Sequence, residues 1–386
     1  GEFPNCDEYG DKHAWEVSIH HPDIWTRADV TRARGERARF VSEYGVLSLA
    51  LPKTVVDFTA TESIDAVDFT AERYRSHDNF FNRGNAAGRD LTEINVELAF
   101  GTVPKRYEEY ALTSLYVQAI GYREAIAAHR RRLRGCSGSL FWMHRDVWGT
   151  HGWTVVDFYD RRKPSFYWVK RAFAPIAVFV VATNKRAESW IANDTPVDRA
   201  MTLVIETGGD DPRKHQRVEM EVFVPAGTTV DGPVLYDVFG WVAAELTDEG
   251  GVVAREVTLS HYPKLFDLPD PELSARWRPA RGNADGGEAT TDRRNRPDRT
   301  GATQSRPENR TAAGGRRDRP DRTAGVLEIT ARRFALFVSI DHDDTAAPDD
   351  NYFNLAPGTT RCVTITGRQR DEPRVGALRI GRQHQS

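Results

Sequence analysis

Glu43 closes a short apolar run, Ala38–Gly45 (Ala-Arg-Phe-Val-Ser-Glu-Tyr-Gly), and a Tyr-Gly turn follows it at once. A strand that ends in one ionisable group and then turns is how a (β/α)8 barrel delivers chemistry to its C-terminal rim. Much further along, Ser139–Trp148 (Ser-Leu-Phe-Trp-Met-His-Arg-Asp-Val-Trp) ends a second apolar run in aromatic and charged side chains. One carboxylate beside several indoles suits a sugar, because pyranose C–H faces pack on aromatic rings while hydroxyls need carboxylates and amides. On spacing alone, alternatives stay open. Glu43 is either a nucleophile or a structural carboxylate paired with a nearby arginine such as Arg39. Trp142, Trp148 and Trp153 either line a subsite or fill space beneath the rim. His13 and Trp15, in Gly-Asp-Lys-His-Ala-Trp, either reach the same rim or belong to the core.

Other chemistry-bearing residues point elsewhere. His20-His21 followed by Asp23 has no third cluster to complete a metal site. Asp341, Asp343, Asp344, Asp349 and Asp350 lack the glycine and terminal glutamate of a calcium loop and read as a solvated acidic turn. Gly135-Cys136-Ser137-Gly138-Ser139 is not a nucleophile elbow, since its second glycine is misplaced. No metal and no cofactor is expected.

The elements that must position Glu43 and the indoles come in two textures. Short apolar runs alternate with helical segments over the first 165 or so residues, a βα pattern. Tyr107, Ala111, Leu115, Ala119, Tyr122 and Ile126 form one stripe at helical spacing, so a helix is expected from Tyr107 to about Arg134, with Gly138–Met143 as the next strand. Only part of a barrel fits in this length. From Phe173 the chain reads as short strands between turn residues, at Ala177–Thr183, Met201–Glu206, Val218–Val224 and Val252–Leu259, the signature of a β-sandwich. A second β region follows, with runs at Val326–Ile329, Phe334–Ile340 and Cys362–Ile365. Residues 281–324 interrupt it with a low-complexity stretch in which Arg-Arg-Asn-Arg-Pro-Asp-Arg-Thr nearly repeats, too polar to bury a core and expected to be disordered.

The 386 residues suffice for two or three domains, and the formal charge of −3 hides an asymmetry. Between Pro271 and Gly325, 13 Arg stand against 8 Asp and Glu, so the remainder is acidic. The basic stretch is interleaved with Asp and Pro and has no run of stacking aromatics, so no nucleic-acid partner is expected. Three scattered cysteines argue for a reducing compartment, with a cytoplasmic location as the expectation. No apolar run approaches the roughly 20 residues that span a bilayer, so no membrane partner is expected.

Four blocks, in order, resemble β-mannosidases of glycoside hydrolase family 2. Gly10–Val17 is similar to the family's Gly-Asp-x-His-x-Trp-x-Val segment. Arg39–Ser48 is similar to its Arg-Phe-x-Ser-Glu-Phe-Gly-x-x-Ser nucleophile strand. Ser139–Tyr159 is similar to its eighth strand and following loop. Asp350–Gly358 (Asp-Asn-Tyr-Phe-Asn-Leu-Ala-Pro-Gly) is similar to a block of its last β-sandwich. The resemblance implies the C-terminal part of a (β/α)8 barrel over 1–171, an immunoglobulin-like sandwich over 172–262, and a C-terminal β-sandwich over 263–386 carrying the insertion 281–324. It implies Glu43 as catalytic nucleophile, and His13, Trp15, Trp142, Asp146 and Trp148 as substrate-binding residues.

The resemblance further implies a retaining, exo-acting β-mannosidase whose partner is a β-mannoside oligosaccharide. Two departures qualify it. Met143 and Arg145 stand where the family has amide side chains. No Asn-Glu pair, the family's acid/base signature, precedes Glu43. A fragment, nearly inactive alone and completed by a separately encoded N-terminal half, is therefore expected. The alternatives are a non-catalytic carbohydrate-binding or structural remnant, and an exo-β-glucosaminidase of the same family.

Overall fold

A computed structural model describes residues 5–83, 88–132, 135–183, 185–209, 212–280 and 323–379. The expected insertion, 281–324, lies outside the described residues except for Thr323 and Ala324.

Up to Ala172 the chain is helical around a few short extended segments. Helices α1 (Ile24–Ala28), α2 (Pro52–Thr59), α3 (Glu72–Arg75), α4 (Leu91–Phe100), α5 (Tyr107–Arg131) and α6 (Pro164–Ala172) are joined by irregular chain. Proline opens α2 and α6 at the first turn, where its missing N–H costs nothing. Gly101, left-handed at φ 81°, closes α4 by donating to the Glu97 carbonyl. Strands β1 (Lys12–His13) and β2 (Val41–Glu43) pair in parallel with His13 opposite Glu43. On the far side of β2, Val41 bridges Ser139, also in parallel. Of the strand expected over 138–143, only Ser139 forms a bridge; beyond it the chain follows β2 through the Leu140 and Trp142 amides, which donate to Val41 and Tyr44 at 2.9 and 2.7 Å.

Helix α5 is the pillar of this part. The expected stripe is buried from Ala111 to Ile126, but so are Tyr116, Val117, Gln118, Arg123 and Glu124. A helix enclosed on nearly every side must satisfy its polar groups internally. Gln118 Nε2 donates to the Val46 and Gly152 carbonyls at 2.9 and 3.0 Å, and Gln118 Oε1 accepts from Ser165 at 2.8 Å. Tyr122 donates to the Trp142 carbonyl at 2.8 Å. Irregular backbone around the helix is thus fastened to its side chains.

The rest is β. Strands β3 (Ile176–Thr183), β4 (Arg186–Asn193), β5 (Arg199–Gly208), β6 (Gln216–Val224), β7 (Thr228–Tyr236), β8 (Trp241–Asp248) and β9 (Gly251–Leu259) form two sheets, ordered β3-β4-β7 and β6-β5-β8-β9. Val178, Ile191, Leu203, Ile205, Val242 and Leu246 alternate inward between them. Strands β10 (Leu273–Pro279), β11 (Thr323–Ala331), β12 (Ala335–Asp341), β13 (Ala346–Pro348), β14 (Phe353–Leu355), β15 (Thr360–Gly367) and β16 (Arg374–Leu378) form sheets β10-β11-β15-β13 and β14-β12-β16 around Leu327, Ile329, Val338 and Val363.

Two seams join these parts. Phe179 and Trp190 pack in one core with Tyr122 and Ile126, so the outer face of β3 and β4 rests on α5. Beside them runs a buried ion chain: Arg34 to Glu124 at 2.6 Å, Glu124 to Arg123 at 3.0 Å, Arg123 to Glu256 at 2.8 Å. Burial opposes ionisation of Glu124, but the two guanidiniums outweigh it and hold that carboxyl below its ordinary range. Near the C-terminus, Asp350 takes both Arg171 of α6 and Arg361 of β15. Asn354 donates to the Val257 carbonyl of β9 at 2.8 Å and accepts the Phe337 amide at 2.9 Å. The acidic turn 341–350 is therefore partly a clamp. Among the described residues no helix is long and apolar enough to cross a membrane.

Candidate active site

The extended segments around 12–15, 39–44 and 137–142 lie side by side in parallel, with 39–44 in the middle. Lys12 and Ala14 donate to the Phe40 and Glu43 carbonyls at 2.9 and 2.8 Å, and Val41 donates to Gly138 at 2.9 Å. Residues remote in sequence thereby share one end of a small parallel layer. Glu43 Oε2 accepts the Trp15 indole N–H at 3.1 Å, while Oε1 lies 3.6 Å from His13 Nε2. The carboxylate side chain keeps 26% of its surface exposed, so a ligand has access to it. Of the sequence-level alternatives, an ion pair with Arg39 is not formed; the partners are Trp15 and His13. Asp11 stands 3.5 Å from the same His13 nitrogen.

Close packing beneath Glu43 explains the glycine that follows it. A Cβ on Gly45 would lie 2.4 Å from the Trp142 carbonyl oxygen, 3.0 Å from Trp153 and 3.1 Å from Trp15. Only a residue without a side chain lets three tryptophans converge there. Trp15 is nearly buried and meets Trp153 edge-on, with ring centroids 5.7 Å apart. The Tyr44 hydroxyl and His129 Nδ1 both meet Ser139 Oγ, at 2.9 and 2.8 Å. Burial lowers the His129 pKa to about 4 and raises that of Tyr44 well above its usual range.

The other expected substrate-binding residues fall differently. Trp142 is 43% exposed; its amide bonds Tyr44 and its carbonyl Tyr122, which sets it at the end of the third segment. Trp148 is also exposed but stacks on His77 at 4.6 Å rather than joining the Trp15–Trp153 pair. Asp146 is 4% exposed, accepts Thr154 Oγ1 at 2.7 Å, and makes no hydrogen bond or ion pair with Glu43, His13 or Trp15. Burial raises its pKa, against the pull of Lys163. Lys163 is itself fully buried, donates to the Gly152 carbonyl at 3.2 Å, and is lowered by burial to about 8. Asp146 and Lys163 both lie in the packed interior rather than at the surface. Arg145 turns away from it, pairing with Asp160 at 2.8 Å and donating to the Phe158 carbonyl at 3.2 Å.

His20-His21-Asp23 serves a helix end, with Asp23 accepting the Thr26 amide at 2.7 Å to cap α1. Among the described residues no group of three or more His, Cys, Asp or Glu is placed to hold a metal. Sequence reasoning missed the loop around His77, Phe80 and Phe81; Phe81 lies 5.7 Å from Trp153. A Phe-Phe pair in a polar stretch was the available signal.

An Ig-fold domain family, Ig_mannosidase, matches residues 318–380. "Beta-mannosidase B" of Aspergillus terreus is 26% identical over 97% of this chain and 41% of its own length. The crystal structure of β-D-mannosidase from Dictyoglomus thermophilum superposes with TM-score 0.75 at 20% identity, covering 97% of this chain and 41% of that one. Exo-chitosanase CsxA of Amycolatopsis orientalis follows with TM-score 0.59 at 16% identity, covering 90% and 43%. The fold is similar to that of the C-terminal portions of these two glycosidases. Within it the chain is similar to the C-terminal portion of the β-mannosidases, and it spans 41% of the length of the Aspergillus relative.

Proposed function

We propose that this chain carries the nucleophile half of a retaining, exo-acting β-mannosidase, with Glu43 attacking the anomeric carbon of a terminal β-mannose. The observation that carries the reading is Glu43 held by the Trp15 indole N–H at one end of three adjacent parallel segments. In this reading, residues 1–171 are part of a (β/α)8 barrel whose chemistry sits at that end of its strands. Residues 172–262 and 263–386 form an immunoglobulin-like sandwich and a C-terminal β-sandwich behind it.

The reaction proceeds in two displacements. One Glu43 oxygen bonds C1 as the C1–O bond to the leaving group breaks, giving a covalent mannosyl ester. Water then attacks C1 and releases the ester oxygen. Trp15 fixes the carboxylate for the first step, the exposed Trp142 offers an apolar face to the ring, and His13 borders the approach. Protonation of the leaving oxygen needs a second carboxyl about 5–5.5 Å from the nucleophile. We assign that role to a separate segment rather than to Asp146, which is buried and engaged with Thr154.

A dinitrophenyl leaving group departs without protonation, so dinitrophenyl β-mannoside tests Glu43 independently of the acid. Slow release of dinitrophenol is expected, abolished in Glu43→Ala and restored by azide, which takes the place of the carboxylate and yields the α-mannosyl azide. Release unaffected by Glu43→Ala would overturn the assignment. Arg145, tied to Asp160, favours a second reading as a non-catalytic sugar site, since no amide reaches the cleft at its position. That reading gives mannose binding without release.

A further inference from the structure

The loop carrying Phe80 and Phe81 is built more firmly than a surface turn requires. Asn79 Oδ1 accepts the Phe81 amide and the Asn79 carbonyl accepts the Asn82 amide, both at 2.9 Å, which closes the turn on the two rings. Asn82 is 2% exposed and ties the turn to α4, its carbonyl accepting Leu91 at 2.9 Å and its Oδ1 accepting Thr92 at 3.0 Å. Asp78 and Arg83 pair across the base at 2.8 Å. At the tip Phe80 is 83% exposed and Phe81 44%.

Single exposed phenylalanines are ordinary. These two continue a row. Trp15, bonded to Glu43, lies 5.7 Å from Trp153; Trp153 lies 5.7 Å from Phe81; Phe81 lies 5.5 Å from Phe80. The row begins nearly buried beside the carboxylate and climbs to solvent. At the base of the loop His77 stacks on Trp148, which ties the second exposed aromatic arm to the same turn. For a sugar whose reacting ring sits against Glu43, this row is an aromatic path from the carboxylate to solvent.

We infer that Phe80 and Phe81 are the platform for the sugar unit on the leaving-group side of the scissile bond, an inference that rests on the mannoside reading of the Glu43 cleft. Each ring offers an apolar face to the C–H face of that unit, worth about three- to tenfold in affinity per ring. The loop is then a specificity determinant, favouring oligosaccharides over simple alkyl mannosides.

The test compares methyl β-mannoside with a thio-linked β-mannobioside, which resists cleavage, by calorimetry on the full chain. The disaccharide is expected to bind about tenfold tighter. In the Phe80→Ala/Phe81→Ala chain this margin shrinks to within about twofold while methyl mannoside binding is unchanged. Phe80→Ala alone, at a site too exposed to disturb folding, removes about threefold of the margin. A margin that is absent in the parent chain, or that survives both substitutions, overturns the inference. Failure of the parent chain to bind either ligand overturns the mannoside reading itself, an outcome recognised because both ligands are lost together.

Discussion

Trp15 joins Glu43 to the packing beneath it: its indole N–H holds the carboxylate and its ring packs edge-on against Trp153. Trp15→Phe keeps a ring and removes the hydrogen bond to a charged group, a contact worth about 1.5–3 kcal/mol. Covalent labelling of the chain by activated mannosides should slow by about tenfold or more, measured by intact mass against time. Gly45 is the complementary case. Gly45→Ala drives a methyl group into the Trp142 carbonyl, and a loss of about 2–3 kcal/mol in urea denaturation is expected. The residue types at this site were legible because a carboxylate at a strand tip and clustered indoles are rare compositions with a chemical reason. Their division of labour was not. Asp146 and Trp148 lie in the same short segment as Trp142, yet one is buried against Thr154 and the other stacks on His77. Which way a side chain turns at an irregular strand end depends on neighbours remote in sequence.

Elements set the pH behaviour. His129, on α5, and His151, in the segment that α5 fastens, are both lowered by burial to about 4 from an ordinary 6.5. His151 Nδ1 accepts the Ala50 amide at 2.8 Å, which requires the neutral ring. As pH falls below 6.5 the unfolded chain takes up protons that the folded chain refuses, so stability present at neutral pH is lost between about 6.5 and 4. Each histidine contributes up to about 3 kcal/mol of that loss. Urea midpoints measured across this window should fall steeply, and His151→Asn should flatten the curve. Strands with clean alternation, such as β5 and β6, were readable from sequence with ends extended by a residue or two. Strand β7 was missed because it contains Gly232-Pro233, which reads as a turn; it lies at a sheet edge, where proline is tolerated, and a Cβ on Gly232 would sit 2.4 Å from Ser189 Oγ. The expected strand over 138–143 does run beside β2, bonded through the Val41, Leu140 and Trp142 amides, but Tyr122 of α5 takes the Trp142 carbonyl and only Ser139 forms a bridge.

At the scale of the whole molecule, buried charge joins the helical part to both sandwiches. Glu124 sits between Arg34 and Arg123 with almost no solvent. Glu124→Gln leaves Arg34 without its carboxylate and Arg123 with Glu256 alone, and a cost of about 3 kcal/mol is expected, with hydrogen exchange rising in both α5 and β9. The block 350–358, which carries part of the family resemblance, is structural: Asp350, Asn351 and Asn354 bond α6, β12 and β9. Sequence patterning separated the α-rich and β-rich regions, but not the contacts between them, since an arginine that crosses a seam looks like any other arginine. The molecule thus presents Glu43 at the end of a small parallel layer braced from behind by two sandwiches. The most direct test of that role is peptide mass spectrometry after incubation with a dinitrophenyl β-mannoside fluorinated beside the anomeric carbon, which slows release of the covalent intermediate. The account predicts a single fluoromannosyl group on the peptide containing Glu43, absent in Glu43→Gln. An adduct on another residue, or an equal adduct in Glu43→Gln, would contradict it.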